Sequence, residues 1–481
     1  MLTGVDIGGT NTDFATVGDE ITAYKVPNAE GFAGAFSRGK LEGRLAVSTS
    51  QPLNRILTGD PISVHILTVP GPGLCCHDGM NGAVSHRGDI VEKIDPEEIA
   101  DCISRNRQDA LAIICKFSIR NSSIEEEIAK IAGPWYPEER IALSHFLGRM
   151  NFPARIITTE LNARLKNTVS TQAEIIRRTQ GDFLFFKGDG GLASPKETIQ
   201  CPSLLYNSSA AAVALGAHYL TGENDCLIVD IGGTTTDLVP IKEGNPVMEI
   251  IFIDKKRTMI ESVRTHSLPY GGDSVIRETL KPGRIGNALA FGGPAPTLTD
   301  ALNCTGEEIG THGLSKLPSR AMAETIVDKY VAIVVEAVKV KNPPKLIGAG
   351  FLSPYLIPRI GKEAGVPYTV PYHAECANAI GVAVSRVSLT LYARFDTGRN
   401  MVAYNGQREF FEHTDDDEEL IKICIDEVRR RALESGAYAD DVRDIRLQYF
   451  NAYDVIRGGY RAERITDIIV QIPPGITAET R

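Results

Sequence analysis

Several common signatures are missing from this 481-residue chain, and each absence removes a class of protein. No CxxC or CxxxC pair occurs among its 9 cysteines, which argues against a zinc ribbon or a dithiol redox motif. No stretch approaches the roughly 18–20 consecutive apolar residues that span a bilayer. The opening MLTGVDIGGT has neither a basic region nor a long apolar one, so it does not read as a signal peptide. Positive charge is in deficit: 51 Lys plus Arg against 61 Asp plus Glu give −10, poorly suited to nonspecific binding of nucleic acid or anionic membrane. A Gly-x-x-x-x-Gly-Lys-Ser/Thr loop is also absent, which weakens a Walker-type reading. The expectation is a cytoplasmic protein with reduced thiols and with neither nucleic acid nor membrane as partner. Hydrophobic residues at 43% and charged residues at 23% are ordinary globular usage, and the length suggests about two to four domains.

What is present is a loop that occurs twice. Residues 6–14 read DIGGTNTDF and residues 230–238 read DIGGTTTDL, identical at seven of nine positions. Apolar runs flank each copy, so strand, Gly-Gly turn, strand is the natural reading. Gly8 and Gly9, like Gly232 and Gly233, let backbone N–H groups approach a phosphate closely. Thr10, Asn11 and Thr12, with Thr234 to Thr236, bring polar side chains to the same turn. Asp6 and Asp230 end apolar strands, where a carboxylate is costly to bury unless a cation such as magnesium, directly or through its waters, is near. Asp13 and Asp237 are second candidates, and turn capping explains them as well. A single copy could be a plain tight hairpin; two copies imply two related half-domains whose loops face each other.

That arrangement resembles the superfamily of actin, the heat-shock chaperone ATPases and the sugar kinases. The resemblance implies an α/β fold of two ribonuclease-H-like half-domains around a nucleotide cleft, with ATP and Mg²⁺ as cofactors. The adenosine loop of that superfamily fits KLIGAGF at 345–351, with Gly348, Ala349 and Gly350 against the nucleotide. More narrowly, GVDIGGTNTDF and VDIGGTTTDL are similar to the hydantoinase/oxoprolinase family. Further segments follow in the family's order: ALSHFLGRM at 142–150, TTELNARL at 158–165, KGDGGL at 187–192, PTLTDAL at 296–302 and VPYHAECANAIGVA at 370–383. The resemblance covers about residues 1–390. It implies an ATP-dependent hydrolase that activates a cyclic amide or related carbonyl by phosphoryl transfer. A small-molecule kinase, or an ATP-driven conformational partner of another enzyme, are the alternatives. The implied partners are ATP and a small-molecule substrate, with a partner subunit or a homo-oligomer left open. The chain departs from the family in being short between residues 14 and 110, with STSQPLNRIL at 48–57 in place of the expected segment. It also carries NSSAAA at 207–212 in place of a glycine-rich loop, and only about 80 residues beyond 395.

The expected units are 1–200 with the first loop, 201–395 with the second loop and the adenosine motif, and a small α+β appendage over 396–481. Helices are expected at 96–105, 122–132, 208–221, 318–341, 374–390 and 417–435, with helical periodicity over 160–180. Asp95 reads as an N-cap, and Ser122 with Glu125 as a capping box. Among other candidates, Asp300 in PTLTDA is a base or metal ligand, or equally a helix cap. Asp273 in YGGDS follows a Gly-Gly pair, so its loop, with Gly272, is expected to reach the nucleotide. Asp189 and Gly190 are weaker substrate candidates, the alternative for Asp189 being an Asx-turn. Cys75, His77, Asp78 and His86 form the one Cys/His cluster, with metal binding and an irregular surface loop both open. Ser144-His145 has no placed carboxylate in the sequence and is not read as a triad.

Overall fold

In the computed structural model, residues 1–9, 11–28, 34, 36, 41–49, 62–74, 76, 78–310 and 319–480 are described. The continuous apolar run Leu2–Ile7 (β1) is buried along its whole length, as a strand covered on both faces must be. It turns back into Asn11–Val17 (β2) and Ile21–Pro27 (β3), giving an antiparallel meander. Arg44–Thr49 (β4) then lies parallel to β1 on its other side. A small insertion follows, with Val64–Val69 (β5), Pro96–Arg105 (α1), Ala110–Cys115 (β6), Ser123–Ala132 (α2) and Ile141–Leu143 (β7), both helices on one face of its sheet. Its three strands are parallel and its apolar side chains form a core of their own. The 29-residue helix Phe152–Gln180 (α3) returns the chain to the first sheet, where Leu184–Phe186 (β8) pairs parallel with β4 and Leu192–Ala193 (β9) closes the edge.

Pro195–Gln200 (α4) and Ser208–Thr221 (α5) lead into the second sheet. Cys226–Ile231 (β10) and Thr236–Lys242 (β11) repeat the opening hairpin, and the hairpin Met248–Ile253 (β12) and Lys256–Val263 (β13) is inserted after it. His266–Leu268 (β14) pairs with β11. Leu298–Thr305 (α6) and Arg320–Lys341 (α7) precede Leu346–Ala349 (β15), which is parallel to β10; Ser353–Ala364 (α8) then leads to Tyr368–Thr369 (β16) beside β15. Each sheet thus runs meander first and parallel strands second, the ribonuclease-H-like order, twice in one chain.

Ala377–Val384 (α9) crosses back to the first sheet. Two close approaches allow it. A Cβ on Gly4 would lie 2.1 Å from Ala379 O, and one on Gly381 would lie 1.9 Å from Ala212 O. Glycine is therefore required where α9 sits between β1 and α5. Leu389–Asp396 (β17), Met401–Tyr404 (β18), Gln407–Phe410 (β19), the helix Asp417–Glu434 (α10), Arg446–Arg457 (β20) and Tyr460–Ile472 (β21) make a five-stranded antiparallel sheet backed by one helix. No helix among the described residues is long and apolar enough to cross a membrane.

Local signals explain most helix starts. Asp95 accepts from Glu97 N at 2.9 Å, with Pro96 at the first helical position. Asp416 caps α10 the same way. Two expectations need correction. Glu125 makes no capping box with Ser122, because its carboxylate is drawn into the interior by Ser144 and His145. The helix expected over 374–390 ends at Val384, where the chain turns extended and enters β17.

Candidate active site

Each repeated motif is a two-strand hairpin with the same register. Asp6 faces Asp13 and Ile7 faces Thr12; Asp230 faces Asp237 and Ile231 faces Thr236. The turns also match, with Gly8 N donating to Asn11 O at 3.0 Å and Gly232 N to Thr235 O at 3.0 Å. Those two N–H groups are consumed by the turn. Gly9, Gly233 and Thr234 are exposed at its tip, and Thr10 lies outside the described residues. The hydroxyls of Thr12 and Thr236 are occupied: Thr12 donates to Asn28 Oδ1 at 2.6 Å and Thr236 to Tyr270 O at 2.8 Å. They brace the loops instead of offering donors to a phosphate.

The two loops share one electrostatic site. Asp6 Oδ2 accepts from Ser209 Oγ at the start of α5 and from Asn378 Nδ2 on α9, both at 2.8 Å. Asn378 Nδ2 also donates to Asp13 Oδ2 at 2.5 Å. Lys25 on β3 stands 3.1 Å from Asp13 Oδ1, and its charge is felt by Asp6 and Asp230 as well. Burial raises the Asp6 carboxyl above its ordinary range, with Ser209 and Asn378 offsetting part of the rise. Burial lifts Asp13 to about 6 against the pull of Lys25. Asp230 has no hydrogen-bond partner among the described residues; burial, then the neighbouring Asp237, lifts it to about 7. Desolvation opposes the charge on Lys25, but the adjacent Asp13 carboxylate outweighs it and holds the ammonium above its ordinary range.

The other candidates fall on both sides of this centre. Gly350 adopts φ +83°, and a Cβ there would lie 2.4 Å from Ile231 O and 2.7 Å from Asp230 Oδ1, so the Gly348–Gly350 loop rests on the second hairpin. Ala349 is the parallel neighbour of Asp230. Gly272 N donates to Gly232 O at 2.9 Å and Asp273 N to Gly233 O at 2.7 Å, so YGGDS braces the second turn, with Asp273 held by Arg284 at 3.0 Å. Asp300 is fully buried and accepts from Leu289 N, Ala290 N, Thr297 N and Thr297 Oγ1. Both its oxygens are used, so it is a helix cap and turn clamp, the second of its two sequence readings. Asp189 forms an Asx-type bond to Gly191 N at 2.8 Å and pairs with Lys187 at 3.0 Å, and Gly190 takes φ +93° in that turn.

Away from the cleft, Cys75 and His77 lie outside the described residues. Asp78 stands 3.8 Å from His65, and among the described residues no three His, Cys, Asp or Glu are arranged to hold a metal. Glu125 supplies a carboxylate to both Ser144 and His145. All three are buried with Arg155, which donates to Ser144 and Ser118. This is a satisfied interior network, and it presents no nucleophile to solvent. Sequence reasoning missed Lys25, Ser209 and Asn378. For Lys25 a signal existed, since a lone lysine in the strand after an Asp-rich hairpin faces one of its carboxylates. Ser209 and Asn378 lie about 200 and 370 residues from Asp6, and only the fold brings them there.

The site suits a magnesium nucleotide. Asp6 Oδ1 is buried with no hydrogen-bond partner, Asp230 is unpartnered, and the turn tips are open. The carboxylates do not form a cage, which fits an ion that keeps most of its waters and leans on one or two carboxylates and the phosphates.

Residues 153–315 match the family model described as hydantoinase/oxoprolinase. Among solved structures, an acetone carboxylase in a nucleotide-free state aligns over 99% of this chain and 88% of its own, at 15% identity and TM-score 0.71. An ATP-dependent caprolactamase from Pseudomonas jessenii aligns over 98% and 87%, at 16% identity and TM-score 0.65. No curated protein matches the chain significantly in sequence. The family match takes in the second loop at 230–238, so the chain carries a hydantoinase/oxoprolinase segment within an α/β fold, with two sheets of ribonuclease-H-like order, that it shares with both solved structures.

Proposed function

We propose that the chain is an ATP-dependent hydrolase of the hydantoinase/oxoprolinase type, which activates a cyclic amide or related carbonyl compound by phosphoryl transfer. The observation that carries this reading is the pair of hairpins in the same register, the first with Asp6 and Asp13 held by Asn378 and Lys25 and the second with Asp230 left without a partner. In this reading the units 1–200 and 201–395 grip the nucleotide and the appendage 396–481 completes the substrate side. The exposed N–H groups of Gly9 and Gly233, with Thr234, hold the phosphates, and the Gly348–Gly350 loop takes the adenosine. Asp6 and Asp230 would hold Mg²⁺, which when bound would supply positive charge to the transferred phosphoryl. Lys25 adds a fixed positive charge on the same face.

The family match and the two aligned structures, an acetone carboxylase and an ATP-dependent caprolactamase, support ATP-driven carbonyl activation. The test is phosphate release from Mg-ATP, alone and with lactams and hydantoins, with products identified by mass spectrometry. Substrate-stimulated phosphate release with ring opening is the expected result. A stable phosphorylated product would replace hydrolase with kinase, and stimulation only by a protein would overturn the proposal.

A further inference from the structure

One side chain beside the first hairpin directs its amide at two carboxylates of that hairpin. Asn378 Nδ2 donates to Asp6 Oδ2 at 2.8 Å and to Asp13 Oδ2 at 2.5 Å. Its own Oδ1 accepts from Ala379 N at 2.9 Å, and the two carboxylates, which only accept, fix which way round the amide lies. Ser209 adds a second donor to the same Asp6 oxygen, at 2.8 Å. Asp13 Oδ1 stands 3.1 Å from Lys25, so both Asp13 oxygens are engaged. Asp6 Oδ1 is the exception: it is buried and has no hydrogen-bond partner. Ser48 is the parallel neighbour of Asp6 on β4, but its hydroxyl goes to Ser208 Oγ at 3.1 Å.

For stability alone this distribution is unfavourable. A buried polar group left unsatisfied costs about 1–3 kcal/mol, and more when charged, yet both donors fall on one oxygen of Asp6 and neither on the other. The support behind Asn378 is also firm. A Cβ on Gly4 would lie 2.1 Å from Ala379 O, so the start of α9 rests directly on β1. At the far end of α9, Arg44 Nη2 donates to Ala383 O at 2.8 Å and to Ser385 O at 2.6 Å. Arg44 opens β4, the strand beside β1, so α9 is tied to the first sheet at both ends. The amide of Asn378 is thereby held at a set distance from Asp6.

We infer that Asn378 is a positioning residue for the divalent cation of the nucleotide: with Ser209 it ties down Asp6 Oδ2, so that Oδ1 alone is presented to the ion. This role rests on the nucleotide reading given above. Asn378 touches neither nucleotide nor ion in this account and acts only through Asp6. Groups that orient a metal ligand from behind are worth about 10- to 100-fold in metal affinity. A residue that served folding alone would weaken nucleotide binding equally with and without metal, and that difference makes the role measurable.

The experiment titrates the full-length chain with Mn²⁺ in the presence of ADP, the free ion being counted from its electron paramagnetic resonance signal. Binding of ADP in EDTA is measured separately by calorimetry. Asn378→Ala should weaken Mn²⁺ binding about tenfold or more while holding metal-free ADP affinity within about threefold. Ser209→Ala, which removes the other donor to the same oxygen, should weaken Mn²⁺ binding by about threefold. Circular dichroism establishes that each variant is folded. Wild-type Mn²⁺ affinity in a folded Asn378→Ala protein would overturn the inference, and so would an equal loss of ADP binding in EDTA. Should Asn378→Ala not fold, Ser209→Ala decides, and unchanged Mn²⁺ binding in that variant would overturn the inference. A wild-type chain that binds no ADP in either condition would overturn the nucleotide reading instead. Mn²⁺ bound without ADP, and weakened by Asn378→Ala, would then still support the positioning of Asp6.

Discussion

The two hairpins share a sequence and a turn, yet they differ in what surrounds them. Asp6 is pinned by Ser209 and Asn378, and Asp13 by Asn378 and Lys25. Asp230 has no such partner and is lifted to about 7, while its turn is clamped from outside by Gly272 and Asp273. The position of Gly4 in the first strand is that of Ile228 in the second, because only the first strand has α9 lying against it. The first hairpin is thus fixed through its carboxylates and the second through its backbone. Identical local sequence sets identical turns, and protonation is set by neighbours distant in the chain.

Substitutions at equivalent positions can break this comparison. The largest effect is expected from Asp6→Asn and Asp230→Asn, each lowering ATP turnover by about 100- to 1000-fold. If one of them retains turnover within about threefold of wild type, the two loops do not act together. Next comes Gly4→Ala, whose Cβ would collide with backbone on α9; a loss of about 3 kcal/mol in chemical denaturation is expected.

The third effect is on pH. Asp13 and Asp230 bind protons more tightly folded than unfolded, so their contribution to stability is fully present below about pH 4, the unfolded value. It is lost as pH rises through about 6 for Asp13 and about 7 for Asp230. Nucleotide-free protein should lose about 2 kcal/mol over that window, discounted for the partial exposure of Asp230, and Asp230→Asn should flatten the profile. An unchanged profile in that variant would show that the unpartnered carboxyl is not raised. The smallest contrast separates the turn tips. Gly9→Ala meets nothing within 4 Å and should cost under about 1 kcal/mol. Gly233→Ala would put its Cβ 2.8 Å from Asp273 Oδ2 and should cost more, measured by the same denaturation. Equal costs would mean that Asp273 swings away freely and does not brace the turn.

Much of the fold was legible because its signals are local. The hairpins, helix α1 with its Asp95 cap, helix α5 and the strand at 110–115 follow from periodicity, caps and turn residues. The misreadings share a cause. Glu125 looked like a capping residue because sequence spacing cannot show that Ser144 and His145 wait in the interior. The helix at 377–384 was drawn too long because its apolar run continues into a buried strand, and the two are alike in composition. Asp300 kept two readings until its four donors were placed.

By itself the sequence determined the repeated Asp-Ile-Gly-Gly-Thr turns, the α/β order of elements and the family resemblance they carry, because each depends on residues close together in the chain. Tertiary structure alone decided that Asn378 would bridge Asp6 and Asp13, that Ser209 would reach Asp6, and that Asp230 would be left without a hydrogen-bond partner among the described residues. Those facts arise from burial and from charges brought together across hundreds of residues. They set protonation and access, which a local pattern does not encode.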